Sequence, residues 1–228
     1  ACPVRGKNLW TQILAFFKMG FALLESLLLL SRLRAQAVCV MGGYVALPVG
    51  LAAIILRKPL WIHEQNSVPG MANRWLSRWT PHCYAGLEGH WSKVIGNPSR
   101  LTPIAKQSQE TKRVLVLGGS QGAEALNAWI AEAWPLLNTS IELKHQVGVK
   151  HFHRWQKKHG QRDQVEVVGY LEHMHEAYMW ADLVIARSGA MTVSELMMYD
   201  VPAILVPLPS AVDDHQTANQ SIEKKSKQ

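Results

Sequence analysis

Two glycine-rich segments could bind negatively charged groups through the backbone, one in each half of the chain. Gly42-Gly43-Tyr44 lies in the first half, and the run from Gly118 to Ala123 lies in the second. Each follows a strand-like apolar run and precedes a helix-like segment. Such a turn exposes backbone N–H groups at a helix N-terminus, where the helix dipole favours an anion. The pattern predicts two phosphate-bearing ligands, or one ligand held between two α/β halves.

The second segment reads Gly118-Gly119-Ser120-Gln121-Gly122-Ala123, and three interpretations of it are open. A dinucleotide turn is disfavoured because the G-x-G-x-x-G spacing is missing. A phosphate cradle with the Ser120 hydroxyl as an additional donor is favoured. A plain tight turn that uses glycines for positive φ angles is the remaining alternative.

A third segment, from Arg187 to Glu195, follows a predicted strand and opens a predicted helix. Thr192 and Glu195 have the spacing of a capping box, which would make Glu195 a structural residue. Alternatively, N–H groups near Gly189 and Ala190 bind phosphate while Glu195 accepts hydrogen bonds from sugar hydroxyls. The residues alone leave both interpretations open.

A polar cluster, His63-Glu64-Gln65-Asn66, follows an apolar strand. A His–Glu pair could supply a general base, so His63 and Glu64 are candidate catalytic residues. An ordinary polar loop is the alternative. No metal site is predicted, because no third ligand has suitable spacing.

Three other polar positions carry weaker predictions. Arg100 follows a strand end and a proline turn, and its guanidinium could bind phosphate or carboxylate. The segment from Asp213 to Asn219 offers amides that could bind hydroxyl groups or a base edge. His151 and His153 lie in a basic, polar stretch, and we expect both on the surface.

The composition indicates a globular protein with an anionic partner. The chain has 228 residues, 48% of them hydrophobic, and a formal net charge of +7. Membrane, phosphorylated substrate and nucleic acid all fit this charge, but nucleic acid fits least because basic and aromatic residues are not interleaved. Three widely spaced cysteines, Cys2, Cys39 and Cys83, predict reduced thiols in the cytosol.

The most hydrophobic stretch runs from Leu9 to Leu30 and predicts an amphipathic helix, or two. Thr11, Lys18, Glu25 and Arg32 recur every seven residues and therefore share one slowly drifting helical face. A buried core helix and a helix partly inserted in a membrane interface are both open. A membrane span is disfavoured because charged residues interrupt the stretch.

Strands and helices alternate along the chain, which predicts parallel sheets in two doubly wound halves. Strands are predicted at 37–41, 59–63, 113–117, 141–147, 165–168, 183–186 and 203–206, with a strand end at 94–95. Helices are predicted at 46–56, 73–78, 123–137, 175–180 and 192–199. A polar linker at 99–110 divides an N-terminal domain, 1–105, from a C-terminal domain, 106–228. Ligands bind beyond the carboxyl ends of such strands, where every glycine turn named above falls.

The ordered set of motifs resembles the MurG family, the peptidoglycan N-acetylglucosaminyltransferases that convert lipid I to lipid II. The resemblance runs from about Val4 to Asn219. It rests on MGGY at 41–44, HEQN at 63–66, GNPSR at 96–100, GGSQGA at 118–123, RSGAMTVSE at 187–195 and DHQTAN at 214–219. It implies an α/β GT-B fold, in which two Rossmann-like domains face each other across a cleft.

The resemblance also implies roles for individual residues. The C-terminal domain would bind UDP-N-acetylglucosamine, with Leu171 beside the uracil and Asn66 approaching from the other domain. The acceptor pyrophosphate would meet Gly42, Gly43 and Tyr44. The remaining donor contacts implied by the family are Arg100, Ser120, Ala190, Met191, Thr192, Val193, Ser194, Glu195, Gln216 and Asn219.

The reaction implied by the resemblance is an inverting transfer without a metal or other cofactor. The C4 hydroxyl of the acceptor sugar attacks the anomeric carbon of the donor, and UDP leaves. Partners would be UDP-N-acetylglucosamine, lipid I and the anionic surface of the bacterial inner membrane on its cytoplasmic face, reached through the apolar helix. Nucleic acid would not be a partner.

The chain departs from the family pattern at both ends. The family begins with a strand and a G-G-T-G-G-H turn, which this sequence lacks, and it continues beyond Asn219 with further helices and a strand. We therefore expect an incomplete N-terminal domain. Two alternatives to the lipid I transferase are another GT-B nucleotide-sugar enzyme and a truncated UDP-sugar-binding remnant without turnover.

Overall fold

The computed structural model describes residues 9–101, 112–119, 122–137, 140–159, 163–207 and 219. Contacts between residues divide the chain into two compact units, Ala1–Asn97 and Pro98–Gln228, called here the N-terminal and the C-terminal unit. The predicted boundary between residues 105 and 106 stays a prediction, because residues 102–111 lie outside the described ranges.

The N-terminal unit contains a three-stranded parallel sheet in the order β1-β2-β3. The strands are β1 (Val38–Val40), β2 (Leu60–Glu64) and β3 (Cys83–Ala85). The helices are α1 (Leu9–Arg32), α2 (Ala46–Ile55) and α3 (Met71–Leu76), the last followed by a 3-10 turn at Ser77–Trp79. Helices connect the strands because parallel neighbours require a crossover.

Small residues on α2 let the elements of this unit pack closely. Ala52 and Ala53 are fully buried, and Gly50 lies against the side chain of Leu76. A Cβ atom at Gly50 would stand 2.6 Å from a methyl carbon of Leu76, which real Cβ atoms essentially never do. The apolar side of α1, including Leu30, completes this core.

Helix α1 is one continuous helix with one buried and one exposed side. Leu23, Leu27 and Leu30 pack against the core. Phe17, Phe21, Leu24 and Leu28 lie on the opposite side and are between 61% and 73% exposed. One face of the helix therefore belongs to the core, as the core-helix interpretation predicted, and the other face is exposed. None of the helices in the described ranges combines the length and hydropathy that crossing a membrane requires.

The C-terminal unit contains a five-stranded parallel sheet in the order β6-β5-β4-β7-β8. Its strands are β4 (Arg113–Leu117), β5 (Glu142–Gln146), β6 (Val165–Val168), β7 (Leu183–Arg187) and β8 (Ala203–Val206). Its helices are α4 (Glu124–Ala133), α5 (Phe152–His159), α6 (Met174–Trp180) and α7 (Ala190–Tyr199). The predicted α/β class with two parallel sheets is confirmed.

The strand order places a topological switch point at the centre of this sheet. From β4 the chain adds β5 and then β6 toward one edge, and it returns to place β7 on the other side of β4. The connection after β4 therefore runs toward β5 on one side, and the connection after β7 runs toward β8 on the other side, although β4 and β7 are neighbours. In doubly wound sheets the crevice that forms between two such connections is where ligands bind.

Three sequence predictions differ from the structure. β3 was not predicted, because three residues are too few to show a period of two. Val94 and Ile95 do not form a strand of their own, since Val94 makes only an isolated bridge with Ala85. The helix α5 was not predicted either, because its only buried side chains are Trp155 and His159 in an otherwise polar segment.

A buried histidine pair lies beneath the turn that follows β4. His145 on β5 is fully buried; its Nδ1 lies 3.1 Å from His159 Nε2, and its Nε2 lies 3.1 Å from Asn127 Oδ1. Because the amide oxygen can only accept, His145 Nε2 donates to it and Nδ1 accepts from His159. Burial, together with the nearby charge of His159, lowers the pKa of His145 from its ordinary 6.5 to about 3.

The histidine pair predicts a loss of stability in acid. Between about pH 6.5 and about pH 3 the unfolded chain binds a proton on His145 that the folded chain excludes, so the free energy of unfolding falls as the pH is lowered through this window. Urea unfolding at several pH values measures this slope. His145→Gln should flatten it, whereas His153→Gln, at an exposed position on α5, should leave it unchanged. An identical slope in His145→Gln would contradict the assignment.

Candidate functional site

Two backbone turns meet at the switch point of the C-terminal unit. The glycine-rich turn that begins at Gly118 follows β4, and the turn at Ser188 and Gly189 follows β7. β4 and β7 are neighbours in register, with Leu117 opposite Ala186. Pairing of these two strands therefore brings together two of the anion-binding segments that the sequence predicted.

The turn after β4 has a conformation that requires glycine. Gly119 and Gly122 have φ angles of +81° and +79°. The Gly122 N–H donates to Gly119 O at 3.0 Å, and a Cβ atom at Gly122 would collide with the carbonyl of Val147. Glycines for positive φ angles are therefore part of this turn. The proposed donor Ser120 lies outside the described residues.

The turn after β7 leads into an uncapped helix N-terminus. Gly189 is the N-cap of α7, and no side-chain cap is described there. The first helical bond runs from the Val193 N–H to Gly189 O at 2.9 Å, so the N–H groups of Ala190, Met191 and Thr192 have no partner within the helix. These three amides and the helix dipole form the kind of end that binds a phosphate.

The capping-box interpretation of Thr192 and Glu195 is wrong. Helix α7 begins at Ala190, two residues earlier than predicted, so Thr192 lies inside the first turn instead of preceding it. Ser194 is buried in the same turn and donates its hydroxyl to Ala190 O at 3.0 Å. Glu195 is consequently free of the structural role that the spacing had suggested.

Glu195 is half-buried and is held by a tyrosine from another helix. The Tyr178 hydroxyl on α6 donates to Glu195 Oε2 at 2.9 Å. Burial raises the pKa of Glu195, and the hydrogen bond from Tyr178 opposes that shift. Within the described part of the chain nothing donates to the second oxygen, Oε1, which leaves it available to a ligand.

Of the two C-terminal amides proposed as sugar contacts, one can be located. Asn219 is buried, and its Nδ2 donates to Ser188 O at 3.3 Å, so it lies beside the turn after β7. Within the described residues the buried Ser188 Oγ and Arg187 Nε have no hydrogen-bond partner. Gln216 lies outside those residues.

Two other predicted donor contacts are not joined to these turns by any described contact. Leu171 is half-buried in the loop between β6 and α6. Arg100 is exposed in the segment that precedes β4. Their proposed roles beside the uracil and the nucleotide-sugar stay predictions.

In the N-terminal unit, four N–H donors surround the Glu64 carboxylate. Oε1 accepts from the backbone N–H and the side-chain amide of Asn66, at 3.1 and 3.0 Å. Oε2 accepts from the Gly70 N–H at 3.0 Å and from Asn73 Nδ2 at 2.8 Å. Glu64 is only 4% exposed. Both oxygens are therefore used to order the loop after β2, which suits a positioning role better than proton transfer.

The Gly42-Gly43 turn lies against this carboxylate network. Gly42 and Gly43 have φ angles of +85° and +79°, and a Cβ atom at Gly42 would stand 3.2 Å from Asn73 Nδ2. The Ala46 N–H donates to Gly43 O at 3.3 Å where α2 begins. Tyr44 is 67% exposed. The loops after β1 and β2 are thus joined through Asn73, which is fully buried and was not predicted as a site residue.

One ring nitrogen of His63 has no partner among the described residues. Its Nε2 lies 3.0 Å from Gly96 O. Because a carbonyl only accepts, Nε2 carries the proton and Nδ1 of the neutral ring has a free lone pair. Nδ1 is buried and has no partner among the described residues. Of the two predicted catalytic residues, His63 is therefore the one with an unused acceptor.

Comparison with known proteins gives the same family for both units. Residues 113–227 match the glycosyltransferase family 28 C-terminal domain, and residues 1–84 match the glycosyltransferase family 28 N-terminal domain. The crystal structure of Acinetobacter baumannii MurG is similar with a TM-score of 0.78 and 36% identity, covering 91% of this chain and 62% of that one.

Two curated relatives carry the same name, UDP-N-acetylglucosamine--N-acetylmuramyl-(pentapeptide) pyrophosphoryl-undecaprenol N-acetylglucosamine transferase. The protein from Halorhodospira halophila is 44% identical over 230 residues, and the one from Methylococcus capsulatus is 44% identical over 227 residues. Each alignment covers 95% of this chain, which spans 64% of the length of these relatives. The resemblance read from the ordered motifs is confirmed, and the chain belongs to glycosyltransferase family 28.

Proposed function

We propose that this chain carries the donor site, and part of the acceptor site, of an inverting N-acetylglucosaminyltransferase. The donor is UDP-N-acetylglucosamine. The acceptor is the C4 hydroxyl of N-acetylmuramic acid in undecaprenyl-pyrophosphoryl-N-acetylmuramyl-pentapeptide, as the names of the two curated relatives suggest. The observation that carries the proposal is the pair of turns at the carboxyl ends of the neighbouring strands β4 and β7. Glu195 lies on α7, the helix that follows the second of these turns.

The donor diphosphate would bind at the start of α7. The open amides of Ala190, Met191 and Thr192 would donate to its oxygens, and the helix dipole would stabilise the charge that grows on UDP as it leaves. The glycine turn after β4 would face the same group and add the Ser120 hydroxyl. No metal is needed for this step, because fixed backbone dipoles supply the positive potential.

The rest of the donor would be recognised by side chains around these two turns. The ribose hydroxyls would donate to Oε1 of Glu195, which has no described partner. Leu171 would border the uracil, Arg100 would contact the nucleotide-sugar, and Gln216 and Asn219 would address the sugar. Asn66, whose side-chain amide donates to Glu64 Oε1, stays a predicted donor contact.

The acceptor would bind at the loops after β1 and β2. The Gly42-Gly43-Tyr44 turn would receive its pyrophosphate. His63 is the better candidate for accepting the proton of the C4 hydroxyl, since both Glu64 oxygens already accept hydrogen bonds and His63 Nδ1 accepts none; Nδ1 is buried, so the acceptor would have to displace the residues that cover it.

The lipid acceptor also suggests where the protein works. The exposed apolar side of α1 would insert into the interface of the bacterial inner membrane on its cytoplasmic face. Basic residues at the end of this helix, Arg32 and Arg34, are exposed and would face anionic headgroups.

The donor site is tested by calorimetric titration of the chain with UDP and UDP-N-acetylglucosamine. Both should bind saturably, and Glu195→Ala should weaken binding about tenfold or more, because a charge-assisted hydrogen bond is worth about 1.5–3 kcal/mol. Glu176→Ala, at an exposed glutamate on α6, is the matched control and should bind normally. A chain that binds neither nucleotide would refute the donor site.

Transfer separates the proposed activity from its alternatives. Labelled N-acetylglucosamine should appear on a lipid I analogue. Transfer to a different acceptor would favour another nucleotide-sugar enzyme, and saturable binding without transfer would favour a binding remnant.

The positioning role of Glu64 predicts a stability defect. In Glu64→Gln one carboxylate oxygen becomes an NH2 group that faces N–H donors, so the free energy of unfolding should fall by about 1–3 kcal/mol. Urea unfolding measures the change, and Glu88→Gln at an exposed position should show none. A Glu64→Gln protein as stable as the parent would favour a proton-transfer role instead.

Membrane attachment through α1 predicts binding to anionic vesicles. Phe21→Ser combined with Leu28→Ser should reduce co-sedimentation with phosphatidylglycerol vesicles several-fold, because two exposed apolar side chains are lost. Leu136→Ser combined with Val149→Ser, at exposed apolar positions of the C-terminal unit, should bind as the parent does. Equal binding by all three proteins would rule out this attachment.

A further inference from the structure

We propose that Tyr178 is a positioning residue for the donor ribose, acting through Glu195. Its hydroxyl holds Oε2 of the Glu195 carboxylate, so that Oε1 is left in a fixed orientation for the ribose hydroxyls. The inference rests on the proposed function, because it gives Glu195 the ribose as its ligand.

Tyr178 is itself held rigidly. Its side chain is fully buried on α6. Its ring stacks on that of Tyr199 from α7, with centroids 5.3 Å apart and an angle of 26° between the planes. Because the ring is held by its packing, the position of the Tyr178 hydroxyl is fixed. The hydrogen bond of 2.9 Å therefore restrains the Glu195 carboxylate.

The bond also favours the ionised form of Glu195. Partial burial raises the pKa of this carboxyl, and the hydrogen bond from Tyr178 lowers it. Burial, and to a lesser extent the Glu195 carboxylate, raises the pKa of Tyr178, which keeps the hydroxyl protonated and able to donate. An ionised carboxylate accepts hydrogen bonds from hydroxyl groups more strongly than a protonated carboxyl does, so Tyr178 supports the protonation state that favours ribose binding.

Holding the carboxylate before the ligand arrives improves affinity. A glutamate side chain without a second contact samples several rotamers, and binding would have to order it. A preorganised acceptor avoids that loss of entropy. Removal of the Tyr178 hydroxyl should therefore weaken nucleotide binding even though this hydroxyl does not contact the nucleotide.

Tyr178→Phe tests the inference because it removes the hydroxyl and keeps the stacked ring. We expect UDP to bind about threefold to tenfold more weakly, with a smaller loss for 2′-deoxy-UDP, which offers Glu195 one hydroxyl fewer. As the pH is lowered, affinity for UDP should begin to fall at a higher pH in Tyr178→Phe than in the parent. The reason is that the pKa of Glu195 rises when the hydrogen bond from Tyr178 is lost. Titration calorimetry with both nucleotides across a pH series measures these effects.

Tyr199→Phe is the matched control. The Tyr199 hydroxyl is buried and has no hydrogen-bond partner among the described residues, so its removal should change neither affinity nor the pH profile. Glu195→Ala supplies a second test: in this background, which lacks the acceptor, Tyr178→Phe should have little further effect, because Tyr178 acts through Glu195.

The outcomes separate this inference from the proposed function. A parent chain that does not bind UDP refutes the proposed donor site itself. A parent that binds UDP, with Tyr178→Phe unchanged in affinity and pH profile, overturns the role of Tyr178 alone. Equal losses for UDP and 2′-deoxy-UDP without a shift in the pH profile also overturn it, because they indicate general loss of packing. If Tyr178→Phe causes the same loss of affinity in Glu195→Ala as in the parent, the role of Tyr178 is likewise overturned, because its effect does not depend on Glu195.

Discussion

The parallel pairing of β4 with β7 fixes what the C-terminal unit can offer to a ligand. Because the two strands are neighbours whose connections run to opposite sides, the turn after Gly118 and the start of α7 end up beside each other. The N–H groups of both turns are thereby placed at the same edge of the sheet. Asn219 contacts the second turn through Ser188 O, and Glu195 lies on α7, where the Tyr178 hydroxyl holds its carboxylate.

Buried polar networks hold both loop regions in place. In the N-terminal unit, Glu64 accepts four N–H donors and, through Asn73, joins the loops after β1 and β2. In the C-terminal unit, His145 connects His159 to Asn127, whose amide donates to Val147 O beneath the glycine turn. A buried polar group without a partner is costly, so these hydrogen bonds favour the observed arrangement of the side chains that make them.

Sequence periodicity and turn chemistry predicted most of the strands and helices. The apolar runs that became β4 and β7 lie in the interior of the parallel sheet, where strands are buried on both faces and are rich in apolar residues. The misses have physical causes. β3 is too short to show a period, and α5 has a single narrow buried edge. The capping-box spacing at Thr192 and Glu195 was present but misleading, because Gly189, three residues before Thr192, is the N-cap of the helix.

The sequence by itself determined the α/β class, the two glycine-rich turns, the polar residues after β2 and, through the order of its motifs, the family. The class, the turns and the polar residues depend on amino acids close together along the chain, and the family depends on the order in which such local motifs follow one another. Only the tertiary structure decided that β4 and β7 are neighbours, that Glu64 is saturated by donors, and that Tyr178 holds Glu195. Each depends on which distant residues come into contact, and strand order and helix packing set those contacts, not local spacing. A tyrosine on one helix and a glutamate on the next leave no periodic signal.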